Sequence, residues 1–568
     1  MDNFIKTVAE INSNINSVVW GIPMLVLIIA TGIYMSFRTK FFQVTKAKLV
    51  CDNTFSAIFK NKGVRKSGSR KTLTQFQAMS TALAATIGTG NIAGVATAIT
   101  IGGAGAVFWM WVSAFFGMMT NYAENVLGIY YRRKNPNGEW SGGAMYYLKD
   151  GLNNKLGNIL AVLFSLFCVL ASFGIGNMTQ VNSISSAMYD TFNIPYIVTG
   201  IVLAVAVALV LLGGIKRIGK VTEMLVPFMA IVYIIGAVII VLINITAVPG
   251  VFVSIFKGAF GIKAAAGGIA GAAIKQAVTM GFKRGVFSNE AGLGSSVMVH
   301  SASNVKEPVV QGMWGIFEVF ADTIIVCTLT ALVVLSSGVV TPLDSNKENM
   351  GIITVADNET IDSVNLYEYD IESCEYSPEL ANSIDKEKQA IVAVDKNGVL
   401  SGVLNTETDV IVGVDDKPES ETYGMVLSGV PCVSTAFAHG FGGFAGAFIT
   451  IAILLFAFST VLGWSFYGTK AFEYLFGTKA TLLYKIIFVL FIVVGATMSL
   501  DLAWDIADTL NGLMAIPNLI GVLTLSGTVI AITRNYLKRK VGGDTNTQPM
   551  LSIFPDIQAE QEYTLDEE

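Results

Sequence analysis

Two long apolar stretches of this chain are broken at their centres by glycine and polar residues, and this limits the fold more than any other feature. The first runs from Ala82 to Ala96 with Gly88-Thr-Gly-Asn91 in its middle, and the second contains Gly285-Val-Phe-Ser-Asn-Glu-Ala-Gly-Leu-Gly-Ser295. A continuous helix crossing a bilayer has no reason to hold such residues at its centre. Each glycine costs about 1 kcal/mol against alanine, and an unpaired polar group in hydrocarbon costs several. Breaks persist at that depth when the freed backbone lines a buried, hydrated site. One break in each half of a polytopic chain points to the binding site of a secondary transporter.

Composition agrees with a membrane location. Of 568 residues, 53% are hydrophobic and 14% charged, with a mean hydropathy of +0.59; a soluble protein carries about 25% charge. The first 17 residues are polar and lack a basic start, so no cleavable signal is expected. The five cysteines show no CxxC spacing and there are only two histidines, which disfavours a zinc or haem site. No GxxxxGK[ST] loop is present, so an ion gradient rather than ATP is the expected energy source, with no cofactor. Nothing points to nucleic acid; the bilayer is the expected partner, and the oligomeric state is not readable.

About eleven spans are expected: Val18–Phe37, Phe76–Ile101, Ala104–Tyr130, Leu156–Asn177, Tyr196–Leu212, Met224–Ile245, Ala266–His300, Val309–Leu335, Gly440–Phe472, Ala480–Leu500 and Leu502–Ile532. The last is long enough to divide around Pro517. Every second loop is basic, beginning with Arg38 to Lys71 and ending with Arg534, Lys538, Arg539 and Lys540. By the positive-inside rule the N-terminus lies outside and the C-terminus in the cytoplasm of a multi-pass protein of the cell membrane. Residues 1–336 and 432–535 then form the membrane transport domain and 536–568 a cytoplasmic tail. Residues 337–431 form an extracellular insertion rich in carboxylates and free of arginine. Within it, Ala390 to Asp395 and Val399 to Leu404 read as strands around an Asn-Gly turn. Cys374 and Cys432 both fall on the outer side, and spacing alone does not decide whether they pair.

The chemistry concentrates at the breaks. Half-helices present unpaired ends: free N–H groups attract a carboxylate and free carbonyls attract a cation. Thr89 and Asn91 add short polar side chains, while Gly88 and Gly90 let the backbone approach a ligand closely. The second break has Phe287, Ser288 and Asn289 placed to close over a ligand, with Gly292 among the small residues limiting its size. Lys283, Arg284 and Glu290 share this span; a central charge costs about 2.5–3.5 kcal/mol, so Glu290 is expected to pair with Lys283 or Arg284. Ser459 and Thr460 offer neighbouring hydroxyl oxygens of the kind a small hard cation accepts. Trp464 lies one turn beyond Thr460 on the same helical face. Gln180 and Asn182 are counted with the fourth span near its outer end, Gln180 as a candidate ligand contact.

Gly102-Gly-Ala-Gly-Ala-Val-Phe-Trp-Met-Trp-Val-Ser-Ala-Phe-Phe-Gly117 closely resembles the signature of the alanine or glycine:cation symporters, within the amino acid-polyamine-organocation superfamily. Gly88 to Gly94 and Lys283 to Gly294 are similar to that family's two broken helices, and Gly142 to Tyr147 to another of its segments. The resemblance spans about Val18 to Arg534 apart from the insertion. It implies an all-α polytopic protein of the leucine-transporter type, with two inverted five-helix repeats. It also implies a symporter rather than an enzyme, taking up alanine or glycine with sodium. By likeness, Gly88 to Asn91 and Phe287 to Glu290 would hold the amino acid. Ser459 and Thr460, with Gly88, would lie near sodium, and Trp464 would bound the pocket.

Overall fold

A computed structural model of the chain describes residues 2–66, 71–260, 269–342, 351–354, 391–394, 400–405, 410–412, 427–498 and 501–566. Helices α1 (Asp2–Val19) and α2 (Ile22–Arg38) lead into a basic segment with four short helical pieces. The first broken helix follows: α3 (Gln75–Thr86), a wide π-turn over Gly90–Gly94, and α4 (Val95–Gly102), with a bend of 52° between its halves. Thr74 and Gln77 form a reciprocal capping box at the start of α3, satisfying two orphan donors. Next come α5 (Gly105–Tyr130), α6 (Ala144–Leu152), and α7 (Lys155–Phe173), which continues through a π-turn at Gly174–Met178 into α8 (Thr179–Phe192). Helices α9 (Tyr196–Leu211), α10 (Gly214–Ile243) and α11 (Val248–Phe260) complete the first half.

The second half repeats the plan. Its broken helix is α12 (Ile269–Asn289) followed by the stub α13 (Val297–His300). Then α14 (Pro308–Val319) passes through a π-turn at Phe320–Cys327 into α15 (Thr328–Ser336). After the insertion come α16 (Gly429–Phe441), α17 (Ala445–Phe476), α18 (Thr481–Thr497), α19 (Asp501–Thr524), α20 (Ser526–Tyr536) and α21 (Pro555–Asp566).

Elements of equal rank in the two halves pack on one another: α4 on α12, α5 on α14, α7 on α17 and α9 on α18. The cross-pairs match as well, α10 lying on α17 as α7 lies on α19. A two-fold relation between two groups of five gives this pattern, as the leucine-transporter type requires. Burial is distributed as in a membrane protein. Val205, Leu209, Phe228, Ile235, Leu483 and Leu490 are exposed on α9, α10 and α18, whereas Asn121, Glu124, Asn125, Glu318 and Asp322 are buried. Polar groups at membrane depth face the bundle interior, where partners exist.

By length and composition, six helices among the described residues are able to cross a membrane, or up to eight if each bent pair is one span. About eleven were expected. The long helices missing from this count are α5 and α12, which carry Asn121, Glu124 and Asn125, or Lys283 and Arg284. Their polar residues serve the interior and lower their mean hydropathy, while α9 and α11 are simply short. The final stretch also departs from expectation. Pro517 lies inside α19, and the 57° bend falls at Leu525, between α19 and α20.

In the insertion, β1 (Val340–Pro342), β2 (Gly351–Thr354), β3 (Ile391–Val394), β4 (Leu400–Asn405) and β5 (Val410–Val412) form one antiparallel sheet in the order β1-β5-β4-β3-β2. The Asn-Gly turn and Cys374 lie outside the described residues, and Cys432 is a buried free thiol on α16.

Candidate functional site

The first break forms because α3 stops at Thr86 and its last carbonyls are left without helical partners. Thr460 on α17 reaches them. Its Oγ1 lies 3.0 Å from the Ala84 carbonyl oxygen and 3.5 Å from that of Ile87. Ser459 Oγ is 3.3 Å from the same Ala84 oxygen. Two hydroxyls and two carbonyls thus gather at the negative end of a helix dipole, which is chemistry suited to a hard cation. The close approach depends on Gly88, where a Cβ would sit 2.5 Å from Thr460 Oγ1.

On the other side of the break, the Gly88 N–H donates to Asn91 Oδ1 at 2.9 Å. The Thr89 hydroxyl donates to Gln180 Oε1 at 3.1 Å. Gln180 is therefore a residue of the site rather than of an outer end. Helix α7 runs on through its π-turn into α8, and Gln180 is buried at the start of α8, its Nε2 donating to the Ile175 carbonyl. The sequence reading ended this span too early. Asn182, two residues on and so on another face of the helix, donates to the Met498 carbonyl instead.

The second break is a run of left-handed residues: Glu290 at φ +56°, Gly292 at +97° and Gly294 at +73°. Phe287 at the end of α12 faces Gly90, where a Cβ would lie 3.3 Å from its ring. Beside it, Ser288 Oγ donates to Asp322 Oδ2 at 2.7 Å, and Asn91 Nδ2 donates to Asp322 Oδ1 at 2.6 Å and lies 2.9 Å from Ser288 Oγ. Thr323 Oγ1 also donates to Asp322 Oδ2 at 2.8 Å, and Asn289 Nδ2 donates to Thr323 Oγ1 at 3.0 Å. Both breaks are thereby tied to one carboxyl group on the π-turn that links α14 to α15. Asp322 is fully buried, and among the described residues it has no lysine or arginine partner.

The expected pairing of Glu290 does not occur. Lys283 pairs with Asp508 of α19 at 2.6 Å, and Arg284 lies over the Phe287 ring at 5.5 Å. Six or seven helical residues set them about 10 Å along the axis from Glu290, whose positive φ then turns it away. Glu290 instead accepts from Ser295 Oγ at 2.5 Å, with the Trp464 side chain close by. Trp464 is anchored against Gly176, where a Cβ would fall 2.2 Å from its own. Gly292 also lies elsewhere than expected. It faces Leu519, Thr120 and Ile28 rather than the first break, and its carbonyl accepts from Asn518 Nδ2 at 2.8 Å.

Sequence reasoning missed Asp322, Glu124 and Asn518. Glu124 on α5 accepts a side-chain bond from Asn518, whose Oδ1 in turn accepts from Tyr147, and it faces the backbone N–H groups of Gly292 and Gly294. The signal was available, since an acid within an apolar span is a functional candidate on cost alone. Glu318, one turn before Asp322, shows the same signal and meets His300 Nε2 at 2.9 Å.

With this geometry established, comparison with known proteins is informative. A family model described as the sodium:alanine symporter family matches residues 5–369 and 381–549. The sodium/alanine symporter AgcS of Methanococcus maripaludis is 41% identical over 525 residues, covering 92% of this chain and 96% of that protein. A Bacillus subtilis protein named "Probable sodium/glutamine symporter GlnT" is 32% identical over 93% of this chain and 90% of its own length. Among solved structures, a sodium-coupled sialic acid symporter aligns with a TM-score of 0.45 at 13% identity, covering 96% of this chain and 95% of its own.

Proposed function

The chain belongs to the sodium:alanine symporter family, and from that premise we propose that it takes up alanine and glycine across the cell membrane with sodium, by alternating access. Membership makes it a multi-pass carrier coupling an amino acid to a cation; the identity of both is our reading. The observation that supports it best is the knot of Asn91, Ser288 and Asp322. It joins both broken helices around a buried carboxyl group with no cationic side chain beside it. When ionised, such a group is stabilised by a counter-charge, and no lysine or arginine among the described residues supplies one. In this reading a sodium ion supplies it, a second oxygen cluster at Ala84, Ile87, Ser459 and Thr460 is a further cation position, and the polar groups gathered at the first break, Thr89, Gly90 and Asn91 with Gln180, hold the substrate carboxylate. Gly90 against Phe287 sets the size limit, which favours alanine and glycine over bulkier amino acids.

The energetics suffice. One sodium ion moving through 100 mV releases about 2.3 kcal/mol, and a tenfold gradient adds about 1.4 kcal/mol. Together these sustain a substrate gradient of a few hundredfold at one-to-one coupling. A zwitterion adds no net charge, so uptake is expected to carry current.

The test is labelled alanine uptake into proteoliposomes, with and without an inward sodium gradient and with unlabelled glycine and glutamine as competitors. Accumulation only with sodium, inhibited by glycine, is the expected result; sodium-independent equilibration would reject the coupling, and inhibition by glutamine alone would move the substrate. Two variants probe the site more narrowly. In Gly90→Leu the side chain meets Phe287, so uptake should vanish while membrane insertion is normal. Thr460→Ala removes one hydroxyl oxygen from the cluster, an ion–dipole contact of the same order as a hydrogen bond to a charged group, about 1.5–3 kcal/mol. The sodium concentration for half-maximal uptake should therefore rise at least about tenfold. Unchanged sodium dependence would place the cation elsewhere.

A further inference from the structure

Residues 550–568 lie beyond the part of the chain that the family model matches, yet most of them are built into the face that the basic loops assign to the cytoplasm. On that face the two broken helices are closed against each other. The segment leading into α3 pairs with the segment following α13: the Leu73 N–H donates to the Ala302 carbonyl at 3.0 Å and the Asn304 N–H to the Leu73 carbonyl at 2.8 Å. Arg132, just past α5, clasps the same segment by donating to the carbonyls of Ser301, Ser303 and Val305.

The tail grips both sides of this clasp. The Ile553 N–H donates to the Tyr130 carbonyl at 3.0 Å, Arg133 lies over the Phe554 ring at 4.6 Å, and Lys134 pairs with Glu560 at 2.6 Å. Beyond the clasped segment, Lys306 donates to the Thr564 carbonyl near the end of α21. The hold is uneven along its length. At the base, Arg539 makes a two-pronged, buried pair with Glu307 at 2.8 and 2.9 Å. At the far end the Lys134–Glu560 side chains are 41% and 54% exposed, and an exposed pair of this kind contributes little.

Next to Glu560, Gln561 is 4% exposed, and among the described residues neither its Oε1 nor its Nε2 has a hydrogen-bond partner. An unsatisfied buried amide opposes docking. The tail is thus fixed firmly at its base, while along α21 it is held by an exposed ion pair and seated with a penalty beside that pair.

We propose that residues 550–566 are a strap that holds the inner gate shut and must lift from the Tyr130–Lys134 and Lys306 segments before the site opens inward. The inference rests on the alternating-access reading for its purpose, but its test needs no transport. Hydrogen exchange followed by mass spectrometry on the purified full-length chain reads the gate directly, through peptides covering 71–75 and 302–305. Glu560→Lys should speed exchange in both peptides by about two- to fivefold, the equivalent of an exposed ion pair. The exchanged pair Lys134→Glu with Glu560→Lys should restore the wild-type rate. Gln561→Leu removes the unsatisfied amide and should slow exchange, a change in the opposite direction that damaged folding would not produce. Removal of residues 550–568 should give the fastest exchange of the set. Unchanged gate peptides in Glu560→Lys and Gln561→Leu, with exchange altered only within 553–566, would overturn the proposal. A failure to transport alanine would leave these readings intact.

Discussion

Asp322→Asn should yield a folded, membrane-inserted protein that no longer accumulates alanine against a gradient. Asparagine matches aspartate in size, and its Oδ1 accepts from Asn91 as before. The Ser288 and Thr323 hydroxyls, which donate to Asp322 Oδ2, can rotate to accept from an amide instead. What disappears is the charge. Removing one partner of a buried ionic contact costs about 3–5 kcal/mol, or roughly a hundred- to several thousandfold in an equilibrium constant. The concentration of sodium for half-maximal uptake should rise by that factor, measured at saturating alanine. A second titration separates the two cations that Asp322 could serve. If the carboxyl group answers sodium, alanine affinity at very high sodium recovers; if it answers the substrate ammonium, alanine affinity stays low while sodium dependence is normal. Wild-type behaviour in both titrations would remove Asp322 from the site.

What the sequence revealed and what it hid divide along a physical line. The breaks were legible because glycine beside Thr, Asn or Ser in a 20-residue apolar run contradicts the periodicity around it, and such a conflict can be seen in one dimension. Thr460 was legible for a similar reason, as a polar pair beside a tryptophan in an otherwise apolar helix. Partners were not legible. Glu290 had two cations nearby in sequence, yet it meets Ser295 and Trp464, because its backbone turns left-handed where the helix ends. Lys283 found Asp508, more than two hundred residues away. Gln180 was misplaced because a π-turn at Gly174–Met178 lets one helix continue where a count of apolar residues had ended it. Asp322 and Glu124 were passed over as single charges within apolar spans. Composition alone does not show that both α5 and the α14–α15 helix aim an acid at a broken helix.

Glu124→Gln tests the other half of that arrangement, and its expected effect is nearly as large. The second break holds its shape because Glu124 faces the backbone N–H groups of Gly292 and Gly294 while Asn518 bridges from the Glu124 side chain to the Gly292 carbonyl. A carboxyl group has two oxygens for these donors, and a glutamine amide has one. The amide nitrogen would then face a backbone N–H, leaving at least one buried donor without an acceptor. That costs about 1–3 kcal/mol, charged to the arrangement of Glu290 to Ser295 that keeps Phe287 and Ser288 facing Gly90 and Asn91. Alanine affinity should fall roughly ten- to a hundredfold. Because Gly292 faces α2, α5 and α19 rather than the oxygens around Thr460, the sodium dependence measured at saturating alanine should move far less. Alanine binding should recover in Glu124→Asp only if the shorter side chain still reaches both N–H groups, which makes the geometry rather than the acidity the tested variable. Equal losses for alanine and sodium in Glu124→Gln, together with a lowered melting temperature, would mean that this contact supports the whole bundle and does not position the substrate break.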